Sequence, residues 1–116
     1  MDSVVRLTIP ILDRAPWPTV LVLAPDAEWR GAVARGLERE GFQVLTARHA
    51  GHALLVCRRY AKPIDLLIAD ANTDEGSGAA VARRLVEEKP GMKQLLFTTR
   101  PRTREGLIRA VNRALA

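Results

Sequence analysis

Asp70 is the residue of this chain best placed to do chemistry. It ends the run Ile64-Asp65-Leu66-Leu67-Ile68-Ala69-Asp70, which lies between Pro63 and a polar Asn-Thr-Asp-Glu-Gly-Ser-Gly segment. An apolar run of this length reads as a strand buried on both faces of a parallel sheet, and such a strand delivers its last residue to the carboxyl edge, where ligands collect in open α/β sheets. The plain alternative is that Asp70 only starts a turn. Two other polar residues hold matching places: Asp26 just after the apolar run from Thr19 to Ala24, and Thr99 at the end of the run from Lys93. Two carboxylates and a hydroxyl would then converge on one crevice.

The remaining reactive residues do less. Cys57 is the only cysteine, so no intramolecular disulfide or thiolate metal cluster can form, and its helical setting favours a small buried hydrophobe. His49 and His52 flank Gly51 without a further ligand set, and a helix start is the expected role. Gly76-Ser77-Gly78 lacks the lysine and spacing of a phosphate loop. Gly31 and Gly36 fall inside a helical stretch, where close packing explains them.

Elements that position these residues follow from spacing. After the run from Thr19 to Ala24, Asp26 caps a helix with Trp29, Val33 and Leu37 on one stripe, and Gly41 ends it in a left-handed turn. A strand from Phe42 to Ala47, a helix from Ala50 to Ala61, and the strand ending in Asp70 come next. A helix from about Ala79 to Glu88, with Val81, Leu85 and Val86 inward, stops at Pro90-Gly91. The strand from Lys93 to Thr99 leads to a final helix capped by Thr103, with Leu107, Ile108, Val111 and Leu115 on one stripe. Strict alternation of strand and helix with short connections implies a parallel sheet covered by helices.

Residues 1–18 stand apart: Val4 to Leu12 looks strand-like, and Asp13-Arg14-Ala15-Pro16-Trp17-Pro18 is a stiff connector. The 116 residues suffice for one core and not two, and 47% hydrophobic with 27% charged residues is the balance of an ordinary folded domain. No apolar stretch is long enough to cross a membrane and no signal core is seen, so a cytoplasmic protein is expected. The net charge of +5 is mostly arginine, with Arg100, Arg102, Arg104, Arg109 and Arg113 near the end. Without interleaved aromatics these read as a solvated face, and nucleic acid is not the expected partner.

From about Thr19 onward the chain resembles a bacterial response-regulator receiver domain. Val20-Leu21-Val22-Leu23 through "LEREGFQVLTA" is similar to that family's first strand, first helix and second strand. Asp65-Leu66-Leu67-Ile68-Ala69-Asp70 matches the strand ending in the phosphoacceptor aspartate, Gly78 the glycine after the following loop, and Lys89 to Thr99 the strand ending in the switch hydroxyl. The resemblance implies a flavodoxin-like α/β three-layer sandwich with a mostly parallel sheet. It also implies a non-enzymatic signalling module in which Asp70 accepts a phosphoryl group and Thr99 reports it, with Asp26, Asp70 and Asn72 as the candidate Mg²⁺ site. Hard oxygen ligands suit Mg²⁺, and the cation neutralises the phosphoryl oxygens.

Departures from the family pattern fall where that chemistry needs support. Ala24-Pro25 stands in place of the acidic pair, and Asp74 in place of a loop proline; Asp74 and Glu75 read as a solvated loop. The family's fourth helix and one strand are missing, so that only Arg100-Pro101-Arg102 separates Thr99 from the last helix. Arg100-Pro101 is either a remnant of the family's Lys-Pro pair or part of a loop that has lost the lysine. The expectation is a degenerate, shortened receiver over residues 19–116 that works as a protein-interaction module with weak or absent phosphorylation and no cofactor, or weakly bound Mg²⁺. A histidine kinase or output domain is the expected partner. Loss of a strand leaves an open sheet edge, which residues 1–18 or a second subunit would cover, giving a homodimer or an added edge strand with Trp17 at the junction. The alternatives are a Mg²⁺-dependent phosphoacceptor using Asp70 and a small basic nucleic-acid-binding protein.

Overall fold

A computed structural model describes residues 17–73 and 76–116 of the chain. Strands β1 (Thr19–Leu23), β2 (Gln43–Ala47) and β3 (Leu66–Asp70) alternate with helices α1 (Ala27–Arg39) and α2 (Ala50–Arg59). Two short strands follow, β4 (Asn72–Thr73) and β5 (Gly76–Ser77), then α3 (Gly78–Glu88), β6 (Lys93–Phe97) and α4 (Arg104–Leu115). The main sheet is parallel throughout in the order β2-β1-β3-β6. This is the flavodoxin-like sandwich in shortened form, with no helix or further strand between β6 and α4.

Side chains of β1 and β3 alternate between two cores, which is why both strands read as unbroken apolar runs. Val20, Val22, Leu66 and Ile68 face α1 and α4 through Val33, Leu37, Leu107 and Val111. Leu21, Leu23, Leu67 and Ala69 face α2 and α3 through Ala53, Cys57, Ala82 and Leu85. Every one of these strand residues is at most 5% exposed, as a central parallel strand covered on both sides requires.

Helix ends follow the side chains expected of them. Asp26 accepts from the backbone N–H groups of Glu28 and Trp29, His49 Nδ1 accepts from His52 N–H at 3.1 Å, Ser77 caps α3, and Thr103 Oγ1 accepts from Gly106 N–H at 3.0 Å. Gly41 follows α1 with φ +98°, and a Cβ there would stand 3.0 Å from the Trp17 ring.

Several boundaries differ from the sequence reading. The strand before Asp70 starts at Leu66, because Asp65 is a junction: its carboxylate accepts from Thr19 N–H at 2.8 Å, and its backbone joins β1 and β6 through Thr19 and Lys93. Helix α2 ends at Arg59 and β6 at Phe97, two residues short of each expectation. The segment after Asp70 is a small antiparallel hairpin, β4 paired with β5, and not an irregular loop. Asp74, Glu75 and the segment from Val4 to Leu12 lie outside the described residues.

Candidate functional site

The carboxyl ends of β1 and β3 bring Asp26 and Asp70 to one edge of the sheet, and a third residue joins them. Arg100, in the connection between β6 and α4, donates from Nε to Asp70 Oδ1 at 3.2 Å and from Nη2 to Asp70 Oδ2 at 2.8 Å. Its Nη1 donates to Asp26 Oδ2 at 3.3 Å. One planar guanidinium thus meets Asp70 with two parallel bonds, the arrangement that favours arginine over lysine, and reaches the second carboxylate with its remaining arm. The same guanidinium stacks on Trp29, 4.3 Å from the ring centroid, and Trp29 in turn meets Phe97 edge-on at 6.2 Å.

Electrostatics follow from those contacts. The Trp29 backbone N–H foremost, and then Arg100, hold the Asp26 carboxyl below its ordinary range, while Asp70 pushes the Arg100 guanidinium further up. A second guanidinium guards the same edge: Arg30 Nη1 donates to the Ala24 carbonyl at 2.7 Å and reaches the Pro25 carbonyl at 3.4 Å. Ala24 and Pro25, which stand at the place of the family's acidic pair, present only carbonyls, and those carbonyls face a cation.

Asp70, Asn72 and Arg100 share a cavity of about 380 Å³ with Arg48 and His49 from the β2–α2 connection. Asn72 is exposed at the start of the hairpin and its backbone pairs across to Ser77. Thr99 is exposed two residues beyond β6, and the partner of Asp70 in this structure is Arg100. Of the expected site residues, the fold therefore brings Asp26 and Asp70 together through a guanidinium, places Asn72 in the cavity with Asp70, and leaves Thr99 exposed beyond β6.

That donor set fits an arginine better than a divalent ion. One oxygen of Asp26 caps α1 and the other meets Arg100; both oxygens of Asp70 meet Arg100. Mg²⁺ demands hard oxygen ligands in near-octahedral array, and among the described residues no group of three or more His, Cys, Asp or Glu side chains is arranged to hold a metal ion.

Gly78 explains how closely α3 approaches this edge. A Cβ there would stand 2.3 Å from the Asp70 carbonyl oxygen, and the Gly78 N–H donates to the Ala71 carbonyl at 2.8 Å. Only a residue without a side chain fits. Arg30 and Trp29 are the participants that sequence reasoning missed. The single available signal was Arg30 four residues after Asp26, on the same helical face.

No protein-family model matches the chain, and no curated protein matches it. Solved structures do. The receiver domain of the hybrid histidine kinase CckA superposes with a TM-score of 0.74 at 22% identity, covering 84% of this chain and 99% of that one. Chemotaxis response regulator CheY4 of Vibrio cholerae gives 0.67 at 20% identity, covering 85% and 99%. A response regulator from Thermotoga maritima is 30% identical with a TM-score of 0.61, covering 84% of this chain and 79% of its own.

The chain belongs to the response-regulator receiver family.

As a receiver it is a module of two-component signalling. Among the described residues its main sheet has four strands, one fewer than the family's five, and the short link from β6 to α4 is what carries Arg100 onto Asp70. Among the described residues no helix is long and apolar enough to cross a membrane.

Proposed function

We propose that this receiver is a protein-interaction module whose Asp70 takes up phosphate weakly or not at all. The observation that carries the reading is the two-armed contact of Arg100 with Asp70, extended to Asp26. A carboxylate that attacks a phosphoryl group needs a free oxygen and a cation able to bridge it to the phosphoryl oxygens. Here both oxygens are engaged by a cation fixed within the chain. Ala24 and Pro25 add no carboxylate, and Arg30 opposes a metal ion beside them. The contact also supports reading Arg100-Pro101 as the counterpart of the family's Lys-Pro pair.

On this reading the protein is a cytoplasmic signalling module and not an enzyme, needs no cofactor, and has a histidine kinase or output domain as partner. Self-association belongs to the same proposal: among the described residues β6 pairs only with β3, and Leu95, Leu96 and Phe97 on it are half-buried. Size-exclusion chromatography with light scattering is expected to give a dimer.

Incubation with acetyl phosphate and Mg²⁺ followed by intact-mass measurement tests the central claim. The expected result is no gain of a phosphoryl group. A stoichiometric gain that disappears in Asp70→Asn overturns the reading in favour of a working phosphoacceptor.

A further inference from the structure

A second feature begins in the cavity beside Asp70 and leads away from it. Arg48, His49 and Val81 line that cavity together with Asp70 and Arg100. Val81 also lines a neighbouring groove of about 380 Å³ between α2 and α3, where it stands with Ala50, Gly51, Leu54 and Ala80. The two spaces therefore adjoin at Val81, and the consecutive residues from Arg48 to Gly51 pass from one to the other.

Their chemistry differs from one end to the other. At the Asp70 end both carboxylate oxygens are taken by Arg100, so the charge left without a partner is positive: Arg48 is exposed and forms no ion pair among the described residues. His49 Nδ1 accepts from the His52 N–H, which leaves Nε2–H as the donor of the neutral ring. Among the described residues no aspartate or glutamate other than Asp70 lines either space. At the far end Leu54 and Val81 are half-buried, and both keep apolar surface in contact with solvent. The small side chains of Ala50 and Ala80, and Gly51 with none, leave the gap between α2 and α3 open. A donor-rich end joined to an apolar groove matches a ligand that is anionic at one end and apolar along the rest.

We infer that the adjoining spaces bind a single-chain organic carboxylate, with its head on Arg48 and its chain along Val81 and Leu54. A guanidinium fork meets a carboxylate through two parallel hydrogen bonds, and the His49 donor lines the same space. A monoanion suits the site better than a phosphate ester. The second charge of a phosphate would stand near Asp70 with one uncommitted guanidinium to balance it, whereas a carboxylate is matched by Arg48 alone. The chain supplies the affinity, because each methylene removed from water adds its own increment.

This inference shares with the functional reading only the contact of Arg100 with Asp70, and its test uses neither Mg²⁺ nor a phosphoryl donor. Decanoate is titrated into the full chain by calorimetry and by amide NMR, with octanoate as the shorter chain and decylamine as the same chain on a cationic head. The expected result is one decanoate per chain, with shifts centred on residues 48–51 and 80–84. Its two extra methylenes should tighten binding about tenfold over octanoate, and the head should favour decanoate over decylamine by about tenfold. Arg48→Glu reverses the charge at the head and Ala80→Trp fills the groove; both positions are exposed, and thermal melts report that the variants stay folded. Each is expected to lose decanoate by about tenfold, and Arg48→Glu to gain decylamine. Equal binding of decanoate and decylamine, unchanged decanoate affinity in either folded variant, or shifts centred elsewhere overturns the inference. A phosphoryl gain on Asp70 with decanoate binding intact refutes the functional reading alone; absent binding with no phosphoryl gain refutes this inference alone.

Discussion

Replacing Gly78 by alanine is the sharpest test of how the sheet edge is built. The new Cβ would stand 2.3 Å from the Asp70 carbonyl oxygen and 3.2 Å from that of Ala71, whereas comfortable carbon–oxygen contacts begin near 3.3 Å. Relief requires the first turn of α3 to move by roughly 1 Å from the end of β3 at that normal separation. Overpacking of this kind typically costs about 1–3 kcal/mol, and weakening the 2.8 Å bond from Gly78 N–H to Ala71 adds about 1 kcal/mol. Better helix propensity returns at most about 1 kcal/mol. The net expectation is a loss of about 1–3 kcal/mol, read as a lower urea midpoint and a melting temperature depressed on the order of 10 °C. Gly36→Ala is the matched control. Its Cβ meets only the movable stem of Arg104 at 3.4 Å, so it should gain about 0.5–1 kcal/mol from propensity. Equal stability of Gly78→Ala and the parent protein would refute the close approach of α3 to Asp70.

Other consequences follow from the same geometry. Arg100→Ala removes the two-armed contact with Asp70 and the stack on Trp29; because the pair is partly solvated, the loss is about 1–2 kcal/mol. In a Trp17→Phe background the emission of Trp29 should change with it, and an unaltered spectrum would count against the stack. Asp26 has its carboxyl pKa lowered in the fold, so it contributes stability that is present above its unfolded pKa and is lost as pH falls through the folded one. Urea midpoints measured from neutral to acidic pH should therefore fall at the acid end, and less so in Asp26→Asn, which keeps an acceptor for the helix cap but carries no charge. Burial pushes the Cys57 thiol up, so alkylation at neutral pH should be negligible in the native protein and rapid in urea. Fast native labelling would contradict its place between α2 and the sheet.

Much of this receiver was legible in its sequence because local rules and tertiary demands agree. Unbroken apolar runs at β1 and β3 encode burial on both faces, and Asp26, His49 and Thr103 announce helix starts by capping chemistry that needs only neighbouring residues. The alternation of elements then restricts the parallel sheet to few arrangements, and the order β2-β1-β3-β6 is among them. Even the shortening could be seen, since too few residues separate Phe97 from Arg104 to hold another helix and strand.

What only the tertiary structure decided is who meets Asp70. Sequence spacing brings Asp26, Asp70 and Thr99 towards one edge, but it cannot say which side chain completes the site, because Arg100 is 30 residues from Asp70 and 74 from Asp26. Those contacts depend on the path of the chain after β6 and on Trp29 offering a face for the guanidinium. Asp65 is similar: inside an apolar run it looks like part of a strand, yet its carboxylate is spent on the Thr19 N–H, which exists as a partner only once β1 and β3 lie side by side. Local propensity reaches a few residues along the chain, and the charges that define this site are paired across the sheet.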